Sequence, residues 1–392
     1  MTPEIDLTDP KVLADPFTAY DRAREVSAVA KLVIPGFGPF WALTRYAEAR
    51  AMLADPRFEV RSESFLRPPG IPEHCLEYMR TMAERDGPDH LRLRRLVAPA
   101  FTPKRAAQLR PRLVALTGRL LDELPAHAED GRVDLVAHFA RPLPIDVICE
   151  LTGIPAADRA RWREHGAAVA AGAGADFAAA VPAIIEGAKE AVARSRAEPG
   201  DDLIGDLVRA QAEDGDRLTD TELVTLVWHL VLAGQTPVNL IANAVEALLR
   251  HPDQLELLRE DPRRWPGAVE ELMRFCGPQL LTTPRFARED VEVDGELIRR
   301  GERVTAAMVA ADRDPRAFAG PDRLDVTRSG PPQLGFSHGP HFCLGASIAR
   351  VQAEVALSAL FTRFPDLALA TDDVPRAPDG GTWRPARLLL TL

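Results

Sequence analysis

The sequence predicts a mainly α-helical protein with minor β-sheets, folded as one large domain. Three observations carry that expectation. Apolar residues recur at helical spacing through most of the chain between Arg92 and residue 270. Strand-like runs are confined to the first hundred residues and to the stretch from Phe286 to Val304. The 34 prolines are spread along the chain, and neither an internal repeat nor a Ser-rich linker divides it. The expected organisation is therefore one 392-residue unit, with a small sheet in the part up to about 90, a helical part over 90–270 and a loop-rich part over 270–392.

Composition narrows the function classes. With 46% hydrophobic and 27% charged residues the chain is globular, which excludes disorder and fibrous repeats. Lys and Arg total 48 against 58 Asp and Glu, a net charge of −10, so no basic field invites nucleic acid. Cys75, Cys149, Cys276 and Cys343 are scattered without a CxxC pair, which argues for a reducing compartment and against a structural zinc cluster. The opening MTPEIDLTDP carries no signal-peptide pattern, and a cytoplasmic location is expected.

Taken in order, Ala30 to Val33 and Phe40 to Leu43 read as strands around the turn-rich PGFGP. Helical spacing follows near 105–124, 142–152, 156–170, 177–195, 203–213 and 220–249. Gly166 to Ala180 is nearly all Ala, Gly and Val, a helix with little side-chain anchorage. VEVDGELIRRGERVT returns to strand and turn, and a last helix begins just after Cys343, with Leu344, Ile348, Val351 and Val355 on one face. From Leu223 to Val245 there are 23 residues without Asp, Glu, Lys or Arg, the length of a membrane span. His229, Gln235, Pro237, Asn239 and Asn243 interrupt it and no basic cluster flanks it, so a buried core helix is expected and no membrane insertion.

The segment FSHGPHFCLG, Phe336 to Gly345, places one thiol in a Gly/Pro loop at the start of a helix. Unpaired N–H groups there favour a thiolate, and Gly339 and Gly345 allow close approach of a flat or bulky group. Three chemistries fit the loop itself: zinc on His338, His341 and Cys343, a Cys nucleophile, or a thiolate ligand to haem iron.

The loop resembles the haem-binding signature of the cytochromes P450, on Phe336, Gly339, His341, Cys343 and Gly345, with Ser337 where the family usually has Gly. The resemblance runs from about residue 5 to the C-terminus. It implies the P450 fold, a haem b cofactor and Cys343 as the metal ligand, a thiolate whose electron donation assists O–O cleavage. Glu271 and Arg274 resemble the family's ExxR pair, whose role is structural, with Arg313 or Arg323 as the expected arginine partner. His90, Arg94, Arg285 and His341 are implied as haem-propionate residues. Arg92 and Arg95 are left for the surface, as a patch to dock an acidic electron donor.

The uncharged helix is expected to carry the oxygen-activation motif, and here it reads Ala233-Gly234-Gln235-Thr236-Pro237. The usual acid is missing. Pro237 has no N–H and clashes with the Ala233 carbonyl, so a kink is expected, with Ala233, Gly234 and Thr236 as catalytic candidates. By analogy the substrate pocket includes the Ser62–Asp86 loop, the region near 166–185, Val231, Leu232, Leu280, Thr282, Thr283 and Trp383. The resemblance implies an O2-dependent monooxygenase that hydroxylates or epoxidises a bulky hydrophobic molecule in secondary-metabolite tailoring, fed by a ferredoxin and its reductase. A haem protein serving as a binding module, or a peroxide-driven enzyme, are the alternatives.

Overall fold

The computed structural model describes residues 2–34, 38–65, 70–170, 175–213 and 218–392. Residues 35–37 of the expected turn lie outside them.

Local chemistry starts the main helices. Asp86 caps Gly87–Val97 through the Gly87 N–H, and Thr102 caps Pro103–Glu123, whose first residue is proline. Thr219 and Glu222 form a reciprocal capping box at the start of Asp220–Ala233. The expected single helix over 220–249 is two: Asp220–Ala233 and Thr236–Arg250, separated by a turn at Gly234 and Gln235. The cause is Pro237 in the first turn of the second helix, which has no N–H for the carbonyl of Ala233.

These helices bury one continuous core. Trp162, Trp228, Phe139, Leu113 and Leu143 lie within it, and Ala346–Arg363 packs along Pro103–Glu123. The run Asp220–Arg250 is long and apolar enough to cross a membrane, yet 61% of its most apolar window is buried against the rest of the protein.

The sheet expected near the N-terminus is completed from far along the chain. Its order is Glu4–Asp6, Val29–Val33, Phe40–Leu43, Arg303–Ala306, Arg285–Ala287 and Phe58–Glu59. Phe40–Leu43 runs parallel to Arg303–Ala306 with Ala42 opposite Thr305, and Arg285 lies opposite Val304 on an antiparallel pair. This pairing puts Arg285 at a fixed register beside the helical core. Val291–Val293 and Glu296–Ile298 form a hairpin whose Asp294-Gly295 turn has both residues at positive φ, 49° and 79°.

Candidate active site

Between the helix break and the Cys343 loop lies a cavity of about 360 Å³, within the range of small-molecule sites. It gathers residues far apart in sequence. His90 and Arg94 come from Gly87–Val97, and Ala233, Gly234, Thr236 and Pro237 from the break. Thr282, Thr283 and Arg285 border it on the sheet side, while Phe336, His341, Cys343 and Gly345 come from the loop.

The thiol loop is held by its backbone. Cys343 donates its N–H to Phe336 O at 2.8 Å, and Phe342 to Gly339 O at 3.0 Å. Gly339 has φ of 73°, and a Cβ there would lie 2.5 Å from Leu53 O, so only glycine fits. Ser337 also has positive φ, 63°, which explains why glycine is usual at its place and makes the serine a strained substitute. Gly345 differs: a Cβ there meets no protein atom within 4 Å, so the protein's own packing does not demand its small size.

Burial raises the Cys343 pKa, against the expectation of a lowered one. The N–H groups of Gly345 and Ala346 and the charges of Arg94 and Arg350 pull the other way and do not overcome it in the protein alone. A coordinated cation would reverse that balance. No three His, Cys, Asp or Glu side chains gather into a metal-holding group among the described residues, which removes the zinc alternative. No histidine hydrogen-bonds the Cys343 thiol among the described residues, so a nucleophile would lack its base.

One rim of the cavity is cationic and incompletely neutralised. Among the described residues neither Arg94 nor Arg285 has a carboxylate partner; Arg285 donates to Leu53 O at 2.8 Å. Burial lowers the pKa of both, that of Arg285 to about 10. His90 stacks on His341 with centroids 4.1 Å apart, and its buried Nδ1 has no hydrogen-bond partner. Burial first, then the charges of His341 and Arg94, hold its pKa down at about 4. His341 Nε2 lies 3.3 Å from Asp86 Oδ1. Burial opposes the Asp86 charge, but hydrogen bonds from His341 and the N–H groups of Gly87 and Val60 bring that carboxyl to about 2. Unpaired buried cations, an orphaned imidazole nitrogen, an open glycine and a soft thiol on one wall fit a large planar group with anionic arms and a thiolate-bound metal, as haem is.

Behind the loop, Glu271 and Arg274 form a bidentate pair at 2.8 and 2.9 Å with side chains 3% and 2% exposed. Arg274 also donates to the carbonyls of Asp312 and Pro321. Their arginine partner is Arg328, whose Nε lies 3.0 Å from Glu271 Oε2, and not Arg313 or Arg323. Arg313 is drawn away by Asp322 and the rings of Phe17 and Phe275, while Arg323 supplies only its carbonyl.

Four expected pocket residues lie elsewhere. Val231 and Leu232 turn into the helical core, and Leu280 packs under the sheet with Tyr20 and Leu32. Trp383 is held by the Phe17 ring, 5.4 Å away, and by Arg376 over its face. From the Ser62–Asp86 loop Met82 and Ala83 reach the cavity, with 66–69 outside the described residues. No described residue of 166–185 lines it, because Phe177, Val181 and Ile184 face the core; 171–174 are outside the described residues. Arg92, expected on the surface, is half-buried and paired with Glu222, whereas Arg95 is exposed. Sequence reasoning missed Val147, Ile148, Leu226, His229 and Leu230. The last three continue the helical stripe that Ala233 begins, a readable signal.

A family model described as Cytochrome P450 matches residues 266–390. The vitamin D(3) 25-hydroxylase of Pseudonocardia autotrophica is 41% identical over 94% of this chain and 91% of its own length. The 6-deoxyerythronolide B hydroxylase of Saccharopolyspora erythraea is 39% identical over 99% of this chain and 97% of its own. Among solved structures, the bacillaene polyketide synthase cytochrome P450 PksS of Bacillus subtilis 168 superposes with a TM-score of 0.89 at 32% identity, covering 98% of this chain and 99% of that one. Identity near 40% along almost the whole length, joined to the same fold, means that the chain belongs to the cytochrome P450 family of haem-iron enzymes and is a P450 monooxygenase.

Proposed function

We propose that the chain is a haem b monooxygenase that hydroxylates or epoxidises a bulky, mostly apolar small molecule in secondary-metabolite tailoring, in the cytoplasm and with electrons from a ferredoxin and its reductase. The observation that supports this reading is that the Cys343 thiol and the Thr236 helix break line one mostly apolar cavity. The names of the similar proteins, hydroxylases of vitamin D(3) and of 6-deoxyerythronolide B, support the substrate class.

In this reading Cys343 would bind the iron as thiolate, helped by the N–H groups of Gly345 and Ala346, and Phe336 and Gly345 line the space the haem would fill. When bound, haem iron supplies activation of O2 with two electrons, placing one oxygen atom on the substrate and the other in water. Arg94 and Arg285 bind the propionates with charges that no protein carboxylate has neutralised. His90 and His341 would add donors to the same anionic arms. Glu271, Arg274 and Arg328 fix the chain behind the loop. Gly234 lets the break pack against Ile148 and the Leu230 carbonyl, Ala233 keeps the cavity wall small, and Thr236 Oγ1 holds and passes a proton from cavity water, in place of the missing acid.

No Asp or Glu lines the cavity among the described residues, and this favours a second reading in which peroxide replaces O2 and the electron donor. The test is turnover of a panel of apolar macrocycles and sterols with a surrogate ferredoxin and reductase, compared with peroxide alone. Product formed only with the electron-transfer proteins supports the first reading. Product formed only with peroxide overturns it, and ligand binding without turnover under either condition points to a binding module.

A further inference from the structure

The polar groups in the cavity wall differ in whether the protein already uses them. Thr282 is committed: its Oγ1 accepts the Ala306 N–H at 3.0 Å and lies 3.2 Å from Thr305 Oγ1. His229 is not. It lines the cavity from the Asp220–Ala233 helix, and among the described residues neither ring nitrogen has a protein hydrogen-bond partner. Burial holds its pKa at about 4, so near neutral pH the ring is uncharged and offers one N–H donor and one lone pair. The residue is partly open to the cavity, so both nitrogens are available to whatever fills it. The charges of the cavity are meanwhile of one sign, Arg94 and Arg285, with no carboxylate among the described lining residues. In the haem-loaded protein the propionates would answer those two arginines, so a cationic ligand beside His229 would still meet no carboxylate of the described lining residues.

Position adds a length. His229 precedes Ala233, the last residue before the break, by four residues, about 6 Å at the α-helical rise. We propose that His229 is the polar anchor of the substrate site: it hydrogen-bonds an uncharged oxygen, hydroxyl or carbonyl, on an otherwise apolar molecule, more than one helical turn from the end held near Thr236, and the cavity rejects a cation in that place. This rests on the reading of the cavity as the monooxygenase substrate site.

The test uses the haem-loaded full chain and three probes on one apolar ring: cyclododecanol, cyclododecane and cyclododecyltrimethylammonium. Affinity is read from the haem spin-state shift, and His229 is followed by its own ¹⁵N imidazole resonances. One neutral hydrogen bond predicts cyclododecanol binding about 5-fold more tightly than cyclododecane, with the ammonium weaker than both. His229→Leu brings the alcohol-to-alkane ratio to about one, and His229→Gln, which keeps a donor and an acceptor, retains part of it. Should the leucine variant fail to fold, the glutamine variant and the shift of the wild-type His229 resonances with alcohol still decide. A preference for the alcohol that survives in His229→Leu overturns the proposal, as do His229 resonances that do not move, ammonium binding as tight as alcohol binding, or no binding of the alcohol. Failure of the underlying reading looks different: the protein takes up no haem, or its haem lacks a thiolate.

Discussion

The two walls of the cavity are built in different ways. Behind the thiol, Glu271, Arg274 and Arg328 join in a buried network that also takes the Asp325 N–H and several loop carbonyls, so the loop has one place to go. Among the described residues the wall at the helix break has no such network. It is shaped by apolar packing, by Gly234 pressed so closely on Ile148 and the Leu230 carbonyl that a Cβ would lie 2.5 Å from the Ile148 side chain, and by a proline that stops the helix. Polar networks fix geometry and tolerate little change, whereas an apolar wall around a break can be re-shaped for a new ligand without unfolding the frame.

The comparison breaks most severely at Arg274. Arg274→Ala leaves Glu271 and Arg328 in a disrupted buried cluster and is expected to cost about 3–5 kcal/mol, read as a fall in denaturation midpoint together with lost haem content. A loss under 1 kcal/mol would mean that the network is not what holds the loop.

Asp312 tests the same wall through pH. It is fully buried, its Oδ1 accepts the Leu334 N–H at 2.8 Å, and burial raises its pKa from 3.8 to about 7. The folded state thus holds a proton that the unfolded chain releases. Its stabilising effect is complete below about pH 4 and is lost as pH rises through 7. Asp312→Asn keeps the acceptor and cannot ionise. It should remove a penalty of up to about 4 kcal/mol above pH 8 and flatten the fall of Tm between about pH 4 and 7. Identical pH profiles for the two proteins would refute this.

Arg285→Met sharpens the role of the rim. Removing a buried cation without a carboxylate partner should stabilise the haem-free protein by about 1–2 kcal/mol while weakening haem retention, measured by transfer to apomyoglobin. Ser337→Gly should gain about 1 kcal/mol by relieving the positive φ of a non-glycine residue, seen as a higher Tm with an unchanged haem spectrum. On the apolar wall, Thr236→Ala should change stability by under about 0.5 kcal/mol yet raise peroxide release per NADPH consumed. Unchanged coupling would remove Thr236 from proton handling.

The contrast between the walls also explains what could be read in advance. The helical segments, the strand Phe40–Leu43, the DG hairpin and the ring of His90, Arg94, Arg285, His341 and Cys343 about one cavity were legible, because periodicity, turn chemistry and fixed motif spacing are local signals. The arginine that meets Glu271 was not. Four arginines, Arg313, Arg316, Arg323 and Arg328, lie within the 16 residues from Arg313 to Arg328, and only the packed turn decides that Arg328 points inward. The pairing of Phe40–Leu43 with Arg303–Ala306 spans the whole chain and leaves no local trace. Pocket residues were misjudged where the register of a wall mattered: Val231, in the core, is one residue from Leu230 and two from Ala233, which line the cavity. Trp383 went astray because Phe17, far away in sequence, claims its ring.

The central claim is that Cys343 is the thiolate on the iron. The most direct measurement is the difference spectrum of the reduced protein with carbon monoxide, recorded for the native chain and for Cys343→Ala. A long-wavelength thiolate-type band in the native protein that vanishes in the variant is the predicted result. A band of the histidine or protonated-thiol type in the native protein, or a thiolate band that survives the substitution, would contradict it.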